Sequence, residues 1–109
     1  MTDKTYIGVL LADLRLPEGR SLKGKRAPLN SLRDRVQGRF RASFSEVSFQ
    51  DTWQRARVLI TLAASSGQQA HERVDEIDRY LHGQEFEVDG VLVKSVDAVE
   101  DLWDVDSSR

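Results

Sequence analysis

Trp53, Arg55 and Arg57 stand two residues apart in the stretch SFQDTWQRARVLI, which runs from Ser48 to Ile60. Alternate residues of a strand share a face, so the indole and both guanidinium groups would line one side of it. Ala56, Val58, Ile60 and Leu62 would line the other. Unpaired bases stack on aromatic rings and on guanidinium planes. Tryptophan and arginine are also enriched where one protein surface meets another. Base stacking, dimer contact and plain solvation are therefore all open for this face.

A second series of cations precedes it: Lys23, Lys25, Arg26, Arg33 and Arg35, followed by Arg39 and Arg41. Lys and Arg contact phosphates without reading bases, so such a series suits an RNA backbone. The net charge of −2 conceals a segregation of charge. From Arg15 to Arg57 there are eleven basic and four acidic residues, a balance of +7; from Val58 onward there are four and twelve, a balance of −8. This asymmetry suggests a local basic patch. The competing reading is that the halves neutralise one another within the fold or across a dimer.

Other chemistries find little support. The chain has no cysteine, which excludes disulfides and thiolate chemistry. His71 and His82 are eleven residues apart, about 16 Å along a helix, too far for one metal, so they read as surface or capping groups. Glu72, Asp75, Glu76 and Asp78 match neither a calcium loop nor a catalytic pair and read as helix-surface charge. The glycines form no phosphate loop, and no seryl nucleophile motif occurs. The sequence is thus read as non-enzymatic, with no cofactor, no metal and no small-molecule substrate.

The elements that must position these side chains follow from periodicity. Tyr6–Leu16 reads as a buried strand ending at Pro17, with a turn over Pro17–Arg20 and Ser21 as helix N-cap. Leu22, Leu29, Leu32, Val36 and Phe40 recur at steps of seven, three, four and four, a helix with a basic outer face. Pro28 either kinks it or starts its main part. Ala42–Phe49 and Thr52–Ala64 read as paired strands. A short even turn would set Trp53 against Ser48, Arg55 against Glu46 as an ion pair, and Arg57 against Phe44. Ala70, Val74, Ile77 and Leu81 mark a second helix stopped by Gly83. Phe86–Val96 reads as a fourth strand, with Asp89-Gly90 as a bulge or turn.

With 109 residues, no apolar run near the ~20 of a membrane span and no signal-peptide pattern, the expectation is one cytoplasmic domain over residues 4–98. An acidic tail covers residues 99–109. The element order is that of an α+β, ferredoxin-like split β-α-β (βαββαβ) fold, a four-stranded antiparallel sheet with two helices on one face.

Two blocks agree with a known family in order and spacing. Ser21-Leu22-Lys23-Gly24-Lys25-Arg26 matches its SLK-x-KR block, and Glu46-Val47 with Gln50-Asp51-Thr52-Trp53-Gln54-Arg55-Ala56 matches its EV…QD-x-WQRA block. Over roughly Tyr6 to Val96 the chain resembles the YlxP-like family of small bacterial proteins, a domain of unknown function. The resemblance implies a ferredoxin-like fold and genes often near those of translation initiation and ribosome maturation, including that of ribosome-binding factor A. It carries no catalytic residues. The expectation is an RNA- or ribosome-associated protein acting in ribosome maturation or translation, with Lys23, Lys25, Arg26, Arg33 and Arg35 on phosphates. The alternative is a homodimeric interaction module using its open sheet face, with no nucleic-acid role.

Overall fold

The computed structural model describes residues 4–16 and 22–103. The expected turn after Leu16, the Ser21 cap, the Lys23 side chain and residues 104–109 of the tail lie outside the described residues. The elements are β1 (Tyr6–Arg15), α1 (Leu22–Gly38), β2 (Ser43–Ser48), β3 (Arg55–Ala64), α2 (Gly67–His82), β4 (Glu87–Ala98) and α3 (Val99–Trp103). The six elements expected from periodicity occur in the expected order. The seventh, α3, falls in what the sequence reads as tail. Its backbone is tied to the start of the chain, where the Val99 amide donates to the Thr5 carbonyl at 2.8 Å. Glu100 and Asp101 occupy its first turn, where the helix dipole favours negative charge.

The strands form one antiparallel sheet in the order β2-β3-β1-β4, so β1 is central. Its pairing with β3 runs unbroken from Tyr6↔Ala64 to Arg15↔Arg55. Even-numbered residues of both strands enter the core: Leu10, Ala12 and Leu14 beside Ala56, Val58, Ile60 and Leu62. Leu29, Leu32 and Val36 of α1 and Ala70, Val74, Ile77 and Leu81 of α2 close over that face. Odd-numbered residues, including Val9, Leu11, Asp13, Arg55, Arg57 and Leu59, line the opposite face.

Two local expectations, the tight hairpin turn and its register, are corrected, and two open alternatives, at Pro28 and at Asp89-Gly90, are decided. Helix α1 runs through Pro28 as one element. β3 begins at Arg55, so Phe49–Gln54 is a six-residue loop rather than a tight turn, and Trp53 belongs to the loop. The longer loop shifts the register: Phe44 pairs with Ile60, Glu46 with Val58 and Ser48 with Arg57, with an irregularity at Val47. The Glu46–Arg55 ion pair therefore does not form. In β4 the Asp89-Gly90 step is a bulge within the strand rather than a turn, and Asp89 pairs there with Arg15 at 3.1 Å.

Helix α2 lies close on β1 because Gly8 has no side chain. A β-carbon there would stand 2.5 Å from Val74 Cγ2, a branched atom that cannot swing aside. Gly8→Ala should therefore lower stability by about 1–3 kcal/mol in a denaturant titration, the cost of overpacking a filled interior. An unchanged midpoint would mean that α2 sits less tightly than described.

Candidate functional site

The side chains singled out by sequence fall into three places. The first is the odd-numbered sheet face at the β2–β3 loop. Asp13 is a carboxylate on a strand otherwise rich in apolar residues, and it is buried, at 7 % exposure. Its register partner is Arg57. The Arg57 guanidinium grips it with Nε donating to Oδ1 at 2.7 Å and a terminal nitrogen to Oδ2 at 3.0 Å. This is the bidentate geometry in which arginine and carboxylate interact most strongly. Arg55 stands 3.9 Å away on the same carboxylate. The Arg57 hydrogen bonds hold the Asp13 carboxyl below the usual carboxylate range despite its burial, with the charges of Arg57 and Arg55 adding to the effect.

Both guanidinium groups also lie over the ring of Phe49, Arg55 at 4.2 Å and Arg57 at 5.2 Å from its centroid. The stacking partner of the two arginines is thus Phe49, and Trp53 stands apart in the loop, 46 % exposed. Phe49 adopts a left-handed backbone with φ 65°, a strained choice for an aromatic residue. That conformation accompanies a carbonyl that accepts two hydrogen bonds, from the Thr52 amide at 2.9 Å and from Lys25 Nζ at 2.7 Å.

Lys25 is the second place, and it departs from its expected role. It is buried, at 3 % exposure. Its ammonium donates to the carbonyls of Phe49 and Thr52 and forms an ion pair with Glu46 at 2.6 Å. It has no face turned to a phosphate. It instead pins the loop that carries Phe49 and Trp53 to helix α1. A buried ammonium is tolerated only when paired and hydrogen-bonded, and the loop carbonyls and Glu46 meet that condition.

The third place is the rest of α1. Arg26 and Arg35 are exposed, and Arg33 pairs with the adjacent Asp34 at 3.2 Å. Arg26 and Arg33 are seven residues apart and share one flank of the helix. Arg35 is nine from Arg26, about two and a half turns, and lies on the opposite flank together with Arg39. The single basic face expected from composition is therefore two flanks separated by the buried stripe on one side and by Asn30 and Asp34 on the other.

Sequence reasoning missed Asp13, Phe49 and Arg73. Arg73 lies in the acidic half of the chain, yet it donates to the carbonyls of Ala63, Phe40 and Arg41 at 2.8, 2.6 and 3.1 Å. A charged residue in β1 was the available signal for Asp13. No pattern marks the other two.

Two of the four acidic residues of α2 are taken up by β4. Lys94 bridges Asp75 at 2.9 Å and Asp78 at 3.0 Å. Those hydrogen bonds raise the Lys94 ammonium above its usual range and lower Asp75. His82 contacts Asp78 at 3.2 Å one turn back, and His71 is exposed. Among the described residues no group of three or more His, Asp or Glu could hold a metal ion, and no helix is long and apolar enough to cross a membrane.

Residues 7–101 match the family described as "Protein of unknown function (DUF503)". Among curated proteins the chain is 39 % identical over 61 residues to "Uncharacterized protein YlxP" of Bacillus subtilis (strain 168). That alignment covers 56 % of this chain and 66 % of the relative.

Proposed function

We propose that this chain, which belongs to the DUF503 family of proteins of unknown function, is a non-enzymatic cytoplasmic RNA-binding protein that associates with a ribosomal particle. In this reading the sheet order β2-β3-β1-β4 is a ferredoxin-like arrangement extended by α3. The observation that carries the proposal is the partnering of the arginines. Arg15, Arg33, Arg55 and Arg57 are engaged by carboxylates, whereas Arg26, Arg35, Arg39 and Arg41 are exposed and have no carboxylate in ion-pair reach among the described residues. Arginines that are not neutralised internally remain available to phosphates, which they bind by charge-assisted hydrogen bonds. The Phe49–Arg55–Arg57 stack adds a planar surface on the sheet.

The test is co-sedimentation with bacterial ribosomes and subunits over a salt series. Binding should weaken steeply with salt, by about 0.7–0.9 in log K per phosphate contacted for each tenfold rise. Arg35→Glu/Arg39→Glu should abolish it. Absence of co-sedimentation at every salt concentration would defeat the ribosomal reading.

A second reading is favoured by one specific feature. Val91, Leu92 and Val93 of β4 are 37, 49 and 40 % exposed, and Val93 adjoins half-buried Leu11 on the sheet face away from α1 and α2. An apolar surface of this kind suits a second copy of the chain. Light scattering should then report twice the monomer mass, and Val93→Lys should return it to one.

A further inference from the structure

Helix α1 ends at Gly38, and Arg39, Phe40 and Arg41 carry the chain toward β2. Arg41 has φ 54°, in the left-handed region where glycine or asparagine is usual and where another side chain is strained. Its carbonyl and that of Phe40 are held by Arg73, which reaches across from α2. On α2, Gln69, Arg73, Glu76 and Tyr80 recur at steps of four, three and four, so they share the flank that faces this turn.

Two adjoining open depressions, of about 500 and 290 Å3, lie between these elements and share Arg39, Phe40 and Glu76 as walls. Arg41 and Arg73 line one, and Arg79 and Tyr80 the other. The rings of Phe40 and Tyr80 meet edge to face at 5.5 Å, which makes a firm apolar base. The trough is thus bordered by four arginines. Asp75, one turn before Arg79, and Asp78, adjacent to it in sequence, are both engaged by Lys94. One carboxylate, Glu76, stands among the arginines, exposed and in no ion pair or hydrogen bond with a described residue.

We infer that the α1–α2 trough holds a single strand of RNA, with Arg39, Arg41 and Arg79 on its phosphates and Glu76 accepting from a ribose 2′-hydroxyl or a base N–H. This rests on the RNA-binding reading and assigns that binding to one place. The mixture of charges selects the occupant. A run of bare phosphates would be repelled at Glu76. A nucleic acid strand alternates phosphates with donor-bearing sugars and bases, and an unpaired strand leaves those base edges free. The trough also gathers arginines from both charge halves of the chain, whereas Arg26 and Arg33 stand alone on the far flank of α1.

The experiment measures binding of a labelled single-stranded RNA oligonucleotide of mixed sequence, with inorganic polyphosphate as a second probe. The variants are Arg39→Ala/Arg79→Ala, Arg26→Ala/Arg33→Ala and Glu76→Ala, each checked for an unchanged melting curve. The trough pair should weaken RNA binding about tenfold or more and flatten its salt dependence, and the far-flank pair should change it by less than about threefold. Glu76→Ala should tighten polyphosphate binding but not RNA binding. RNA binding that responds to the far-flank pair alone would overturn the trough while leaving RNA binding intact. RNA and polyphosphate tightening equally in Glu76→Ala would overturn the RNA strand as occupant. No RNA binding by the wild type would remove the broader reading as well.

Discussion

Lys25→Met should destabilise the protein by about 3–5 kcal/mol, the cost of removing one partner from a buried ion pair. The substitution keeps an unbranched side chain, one atom shorter, and fills most of the same space. What it removes is the charge on which Glu46 and the carbonyls of Phe49 and Thr52 converge. Each of those groups was brought out of water on condition of having this partner, and an unmet buried acceptor costs about 1–3 kcal/mol. The midpoint of thermal unfolding should fall by more than about 10 °C. Arg26→Met, one residue on and exposed, should stay within about 0.5 kcal/mol. Adding Glu46→Leu to Lys25→Met should recover part of the loss, because the stranded carboxylate is then gone. If Lys25→Met melted like the wild type, the buried network would be absent in solution, and Lys25 would return to the set of phosphate contacts.

Asp13→Asn is the second large effect. It keeps the shape of the carboxyl group but removes the charge gripped by Arg57 and flanked by Arg55. Hydrogen bonds to charged groups contribute about 1.5–3 kcal/mol, so a loss of that order is expected. The pH dependence supplies a separate readout. The folded Asp13 carboxyl stays ionised to lower pH than the unfolded one, whose pKa is about 3.9. Its contribution to stability is therefore complete above that value and declines as pH falls toward the depressed folded value. Wild type should lose stability more steeply than Asp13→Asn on acidification below about pH 4, and the two should run parallel near neutrality. Parallel curves throughout would show that Asp13 is not held by its arginines.

The two experiments probe opposite sides of the same loop. Phe49 turns its carbonyl to Lys25 and its ring to Arg55 and Arg57. Its left-handed backbone makes both possible. The loop is thus fastened to the core from behind and to the sheet face in front, which leaves Trp53 exposed on a fixed base.

Part of this was legible in the chain. Helix α1 shows where reading stopped. Its apolar positions step by seven between Leu22 and Leu29, and the position that would divide the step into three and four is Lys25. The gap in the stripe was the trace of a residue facing inward, but a lysine there has a reason to face inward only if an acid and free carbonyls meet it. Those come from Glu46, Phe49 and Thr52, more than twenty residues away. The hairpin register was likewise out of reach, because a six-residue loop and a tight turn carry the same polar residues, and only strand pairing tells them apart.

The sequence alone determined six of the seven elements and the inward faces of β3 and α2. The alternation of Ala56, Val58, Ile60 and Leu62 and the spacing of Ala70, Val74, Ile77 and Leu81 are local periodicities, and burial of apolar area follows them directly. It also determined the charge segregation. Only the tertiary structure decided which cations are spent and which remain. It gave Lys25 to the loop and Arg57 to Asp13, gave Arg73 to the α1–β2 turn, and left Arg26, Arg35, Arg39 and Arg41 exposed. A charge is neutralised by whatever lies within a few ångströms of it in space, and sequence spacing carries no record of that distance.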